Sequence, residues 1–84
     1  MVKYIDGVEI KIQAKKEESS DIRESLKEAA LTNPNVKSAT DIGPNRIFMD
    51  TDLSVSQQVI DKVVKEKGLM KSQFVVKKTR IRID

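Results

Sequence analysis

The sequence predicts an α+β domain in which strand, helix, strand, strand, helix and strand follow one another along the chain. Three observations predict this order. Apolar and polar residues alternate near the N-terminus, as they do in a strand with one buried face. Two later segments carry apolar residues at helical spacing, and a Gly43-Pro44-Asn45 turn joins two short strand patterns between those segments.

The first strand pattern occupies residues 8 to 15. Its apolar positions recur at every second residue, and they are Val8, Ile10, Ile12 and Ala14. Just before this pattern, Asp6-Gly7 stands between two apolar segments, which is typical of a two-residue hairpin turn. We therefore expect an additional short N-terminal strand that forms a hairpin with the first strand.

The first helix is predicted from Ile22, Leu26 and Ala29, which recur at helical spacing. Ser19-Ser20-Asp21 offers an N-cap and a negative charge in the first turn. The helix should end near Thr32, because a proline at position 34 disfavours helical backbone at the residue before it.

The second helix has the clearest boundaries. Ser54 and Gln57 have the spacing of a capping box, in which each side chain bonds the backbone of the other. Gly68 suits a left-handed C-cap, after which Leu69 can fold back on Val64. An apolar stripe runs between these ends, formed by Val55, Val59, Ile60, Val63 and Val64.

Residues 36 to 42 and 46 to 51 flank the central turn and should pair antiparallel, while residues 73 to 83 form the last strand. Two consecutive β-α-β units imply the ferredoxin-like split β-α-β fold (βαββαβ). In that fold a four-stranded antiparallel sheet has the strand order 4-1-3-2 and both helices on one face. The predicted core comprises Val8, Ile10, Ile12, Ile22, Leu26, Val59, Ile60 and Val63.

Composition limits the function classes. A length of 84 residues predicts one domain, residues 1–84, with little room for a deep ligand cavity. The chain contains no Cys and no His, which removes disulfides, thiolate nucleophiles, the commonest general base and the commonest transition-metal ligand. We therefore expect a non-enzymatic protein without cofactor or metal. No segment approaches a membrane span and no signal peptide is evident, which predicts a cytoplasmic location.

Positive charge is concentrated in the last strand. The final eighteen residues hold six Lys or Arg and one acidic residue, a local net charge of +5 in a chain of net charge +3. We expect Lys78, Arg80 and Arg82 to face away from the helices, beside Lys11 on a central strand. Because Lys77 would then be buried, a bulge or a shifted register is expected near it. Such a stripe suits nucleic-acid phosphates or an acidic protein, although charges on an edge strand also prevent aggregation.

Phe48 is predicted to stand beside Arg46 on the sheet face that the helices leave open. The topology resembles that of the RNA-recognition family, which stacks bases on aromatic side chains at this face. The family's third-strand motif requires glycine and a further aromatic residue, whereas this chain has Arg46-Ile47-Phe48-Met49-Asp50. The resemblance is therefore one of topology, and a buried or protein-contacting Phe48 is the alternative.

The sequence excludes two kinds of metal site, one because its Cys ligands are missing and the other because it has too few oxygen ligands. The topology is also that of the heavy-metal-associated domains, but their metal loop carries two Cys where this chain has Ala14-Lys15-Lys16-Glu17-Glu18. Asp50 and Asp52 offer too few oxygen ligands for a hard cation. Asp52 is better placed to interact with the positive end of the following helix.

The sequence thus predicts a small protein-interaction module, a regulator or inhibitor of a larger complex, which binds a protein partner or a second copy of itself. Binding of RNA or single-stranded DNA is the alternative. In either case the expected binding residues are Arg46, Phe48, Lys78, Arg80, Arg82 and Lys11.

Overall fold

A computed structural model describes residues 2–82 and confirms an α+β structure with a four-stranded antiparallel sheet and two helices. The elements in chain order are β1 (Tyr4–Ile12), α1 (Lys16–Leu31), β2 (Ala39–Gly43), β3 (Arg46–Met49), α2 (Leu53–Lys67), a 3₁₀ turn (Lys71–Gln73) and β4 (Phe74–Arg82). Neither helix within these residues has the length and apolar composition that a bilayer span requires.

The strand order is β2-β3-β1-β4, which becomes β4-β1-β3-β2 when it is counted from the other edge. The central strand β1 pairs antiparallel with β3 on one side and with β4 on the other. Pairing with β4 is continuous from Tyr4↔Arg82 to Ile12↔Phe74. The β2–β3 pairing includes one register shift, between Asp41 and Gly43.

The core lies between the helices and one face of this sheet. All eight residues of the predicted core are buried, because the apolar stripes of both helices meet alternate residues of β1 and β3. We call this side of the sheet the helix face and the other side the open face. Directly paired residues share a face, so the register places Glu9, Lys11, Arg46, Phe48 and Lys77 on the open face.

The expected N-terminal hairpin is wrong. Asp6 and Gly7 lie inside β1, where they pair with Arg80 and Thr79. A type I′ turn requires positive φ at both central residues, and Gly68 is the one residue with positive φ among residues 2–82. Gly7 is needed for a different reason, since a side chain there would collide with the ring of Phe48.

Both predicted helix N-caps are also wrong. α1 begins at Lys16, and Ser19 is buried inside the helix, where its hydroxyl donates to the Ala14 carbonyl at 3.2 Å. α2 begins one residue before Ser54, and its N-cap is Asp52, which accepts a 2.8 Å bond from the Val55 amide.

Both predicted helix ends are confirmed. The C-cap of α1 is Thr32, and the C-cap of α2 is Gly68 with φ 66°. Leu69 donates its amide to the Val64 carbonyl at 3.1 Å, as the predicted fold-back requires.

Strands β1 and β4 extend beyond the rest of the sheet. Each has nine residues, whereas β3 has four and pairs only with Val8 to Lys11 of β1. Residues 4–7 and 79–82 therefore form a two-stranded ribbon without a third strand. A free ribbon of this kind is marginally stable in water, so its side chains must interact with one another or with a partner.

Candidate interaction surface

The orientation of β4 is the reverse of the predicted one. Lys78 pairs with Val8 and Arg80 pairs with Asp6, so both cations lie on the helix face, and Lys77 lies on the open face opposite Glu9. No bulge occurs, since the β1–β4 register is unbroken. Phe74 decides the orientation of β4, because it is 8% exposed and belongs to the core. Every second residue after Phe74 therefore lies on the helix face.

The six predicted binding residues consequently divide between two faces. Lys11, Arg46 and Phe48 share the open face, as predicted. The other three, Lys78, Arg80 and Arg82, share the opposite face with alternate residues of β1. The expectation that Arg80 and Arg82 stand beside Lys11 is therefore wrong, and no single stripe contains all six.

Phe48 lies on the predicted face, but its side chain is covered. It is 1% exposed. A Cβ atom placed on Gly7 would lie 2.5 Å from the Phe48 Cζ and 2.8 Å from its Cε2. The missing side chain of Gly7 leaves the space that the ring fills. A ring in this position stabilises the sheet and presents no free face to a nucleobase.

Glu9 connects three strands across the open face. Its side chain is 10% exposed, and its two oxygens accept from Arg46 Nη1 on β3 at 3.1 Å and from Lys77 Nζ on β4 at 3.2 Å. The cations are much more exposed than the carboxylate, at 46% for Arg46 and 66% for Lys77. A buried carboxylate thus holds two partly exposed cations in fixed positions.

Lys11 completes this group, which we call the Glu9 cluster (Glu9, Lys11, Arg46 and Lys77). Lys11 is exposed and lies directly opposite Arg46, so the cluster carries three positive charges and one negative charge. Sequence reasoning missed Glu9 and Lys77. The signal that could have identified them is the position of Glu9 in the middle of the central strand, where a carboxylate that becomes buried requires a cationic neighbour.

A second cationic group occupies the ribbon. Arg80 donates from Nε to Asp6 Oδ1 at 2.7 Å, and its guanidinium carbon lies 5.7 Å from the centroid of the Tyr4 ring. Tyr4 is 56% exposed and pairs directly with Arg82. An exposed aromatic ring therefore accompanies cations on the ribbon, on the face opposite the Glu9 cluster.

An open groove of about 450 Å³ lies between the ribbon and the start of α2. Its two carboxylates already have partners, because Asp6 binds Arg80 and Asp52 caps α2. Residues 2–82 contain no group of three or more His, Cys, Asp or Glu side chains suited to a metal ion, so no such group forms around Asp50 and Asp52.

No protein-family model matches the chain, and neither a curated protein nor a solved structure matches it significantly.

Proposed function

We propose that the protein is a non-enzymatic protein-interaction module, a small regulator of a larger complex, and that it binds an acidic surface of its partner through the open face. The observation that supports this proposal best is the Glu9 cluster. It fixes two partly exposed cations on a rigid sheet, and a third cation, Lys11, stands beside them. Rigid charges of one sign attract a complementary surface and orient it.

The fold assignment is part of this proposal. The order β4-β1-β3-β2 and the core shared by both helices support a ferredoxin-like fold. In that fold both helices cover one face, so the other face is available to a partner. Many unrelated functions share the fold, and the functional argument therefore depends on the surface alone.

Charge reversal at Lys11 tests the open face. Lys11 is exposed and its side chain makes no hydrogen bond or ion pair with residues 2–82, so Lys11→Glu should leave stability unchanged. The matched control is Lys65→Glu, which makes the same change of net charge on the exposed surface of α2. The measurement is affinity purification of the tagged protein from the source cell, followed by quantitative mass spectrometry.

We expect a partner that is recovered with the wild type and with Lys65→Glu, and whose recovery falls about tenfold with Lys11→Glu, because like charges would then face each other. Equal recovery with all three proteins, or no specific partner with any of them, would contradict binding through the open face.

Nucleic-acid binding is the second candidate, and a specific observation favours it at a different place. Tyr4 is exposed on the ribbon with Arg80 over its ring and Arg82 paired to it. A ring that can stack on a base, together with cations that can contact phosphates, is what single-strand binding requires. The ribbon and not the open face would then be the site.

Salt dependence tests this candidate. With Lys78, Arg80 and Arg82 as phosphate contacts, the affinity for single-stranded RNA should fall with a log–log slope of about −2, near −0.7 per contact. Tyr4→Ala should weaken binding by roughly 1–3 kcal/mol without changing the slope, since stacking is not a charge effect. Phe48→Leu serves as the control and should have no effect on affinity. Undetectable binding at low salt would exclude this candidate.

A further inference from the structure

The outer edge of β4 is not paired with any strand of the described chain. β4 stands at the end of the strand order, and within residues 2–82 no strand pairs with its outer side. It contains nine residues without proline, glycine or a register shift against β1. At about 3.3 Å per residue it offers roughly 30 Å of regular edge. Proteins normally shorten, bend, cover or charge such an edge, because it can pair with another chain, and β4 has only the charges.

The hydrogen-bond alternation shows which residues offer this edge. The amide of Gln13 donates to the Gln73 carbonyl at 2.7 Å, so this pair is a hydrogen-bonded one. In an antiparallel ladder such pairs recur at every second residue, and the odd-numbered residues of β4 therefore bond to β1. The amide and carbonyl groups that point outward belong to Val76, Lys78, Arg80 and Arg82, while the outward amide of Phe74 already donates to the Lys71 carbonyl.

The charges on β4 argue against a second copy of the chain as the partner at this edge. β4 carries Lys77, Lys78, Arg80 and Arg82 and no acidic residue. Two such strands side by side would place cations opposite cations, which is destabilising. Lys77 and Arg80 have intramolecular carboxylate partners, whereas Lys78 makes no hydrogen bond or ion pair with residues 2–82. The charges therefore repel β4 of another copy and attract an acidic strand.

We propose that β4 binds an acidic extended segment of another protein as a fifth, antiparallel strand of the sheet. This inference rests on the proposed protein-interaction function and specifies the chemistry of the partner. Residues of the segment that pair with Lys78, Arg80 and Arg82 should be acidic and separated by two positions. The intervening residues lie beside Val75, Thr79 and Ile81 on the open face, where β-branched side chains fit.

A designed peptide tests the proposal without knowledge of the natural partner. The probe alternates Glu and Val over nine residues, the length of β4. In ¹H–¹⁵N NMR spectra, the amides of Val76, Lys78 and Arg80 should shift on titration, and their hydrogen exchange should slow about tenfold at saturation because they become hydrogen-bonded. Binding should weaken as salt is raised, and a peptide with Lys in place of Glu should not bind.

N-methylation separates strand pairing from simple charge attraction. In the antiparallel arrangement the Glu amides point at β4 and the Val amides point away, because the residues opposite Lys78, Arg80 and Arg82 form the hydrogen-bonded pairs at this edge and the intervening residues do not. Methylation of the Glu amides should abolish binding, and methylation of the Val amides should preserve it. Equal binding of both methylated peptides, or the reverse preference, would overturn the proposed pairing.

A variant of the protein provides the reciprocal test. Lys78→Pro removes an outward amide from an edge strand, where proline is tolerated, and Lys78→Ala removes the same charge but keeps the amide. Peptide affinity should be lost in the first and only reduced in the second, with melting curves to show that both are folded. If Lys78→Pro does not fold, binding of the two methylated peptides to the wild-type protein still tests the proposed strand pairing.

The following results would contradict pairing at the β4 edge without contradicting binding through the open face. If the wild type does not bind the Glu-Val peptide at millimolar concentration, or if the peptide shifts amides elsewhere, the edge proposal is wrong whatever partner Lys11→Glu loses. A dimer detected by analytical ultracentrifugation and abolished by Lys78→Pro would also overturn it, because a second copy would then occupy the edge.

Discussion

Gly7 and Phe48 show how one missing side chain shapes the open face. A methyl group at Gly7 would overlap the Met49 carbonyl oxygen and come within 2.5 Å of Phe48 Cζ. The ring can lie flat on the sheet only because the glycine has no Cβ. The same contact explains why an aromatic residue on the face without helices is 1% exposed.

Gly7→Ala should therefore destabilise the protein by about 1–3 kcal/mol, the usual cost of overpacking. Gly43→Ala is the matched control, since its methyl group would meet no backbone atom and only the far end of the Arg46 side chain, at 3.1 Å from Nε. Urea unfolding of both variants measures the difference. In a Phe48→Leu background the cost of Gly7→Ala should shrink, and an unchanged cost would mean that the ring is not the obstacle.

At the scale of the element, the first turn of α2 is stabilised by a residue that precedes the predicted cap. Asp52 accepts from the Val55 amide at 2.8 Å, and its carboxylate lies at the positive end of the helix. Ser54 lies inside the first turn and is exposed.

Asp52→Ala should consequently lower the unfolding free energy by about 1 kcal/mol, the typical value of an N-cap. Ser54→Ala should change it by less than about 0.5 kcal/mol, as for other exposed helix positions. Thermal or urea unfolding of the two variants distinguishes the caps. A larger loss of unfolding free energy for Ser54→Ala than for Asp52→Ala would indicate that Ser54 is the N-cap.

The attachment of α1 to β2 depends on Asp41. Its carboxylate lies 2.9 Å from Lys27 Nζ and 3.2 Å from Arg23 Nη1. The hydrogen bond from Lys27 lowers the pKa of Asp41, and Arg23 adds to this effect. The unfolded chain therefore binds this proton more readily, and the contribution of Asp41 to stability is present above its ordinary pKa and lost on acidification.

Asp41→Asn should reduce stability at neutral pH, and the difference from the wild type should disappear as the pH falls below about 4. The contribution should be small, because the Asp41 side chain is 34% exposed and water screens the pair. Asp21→Asn is the control, since that side chain is 78% exposed in its pair with Lys67. Urea midpoints measured across this pH range provide the test, and a constant difference would contradict the sign.

At the scale of the whole molecule, a single core joins both helices to three strands. Val63 lies in its centre with no exposed surface. Val63→Ala should cost on the order of 1–3 kcal/mol through lost burial and the cavity that remains. Lys65→Ala, two residues later and exposed, should stay within about 0.5 kcal/mol. A loss below that value for Val63→Ala would contradict its position in the core.

The sequence by itself determined the order of the six main elements, the C-terminal ends of both helices and all eight residues of the predicted core. These features depend on local chemistry, namely the period of the apolar residues, the proline after α1 and the glycine after α2. It also placed Lys11 on the open face, because apolar and polar residues alternate in β1, and it placed Phe48 there with Arg46, the charged residue two positions before it.

Only the tertiary structure decided the orientation of β4 and the role of Asp6-Gly7. Val75 and Val76 are both apolar, so either alternation of β4 is compatible with its sequence, and the packing of Phe74 into the core selects one. A one-residue change of register then moves every cation to the other face. Asp6-Gly7 has the local signal of a turn, but the pairing of β1 with β4 and the ring of Phe48 keep it extended, since long-range pairing outweighs a weak local preference.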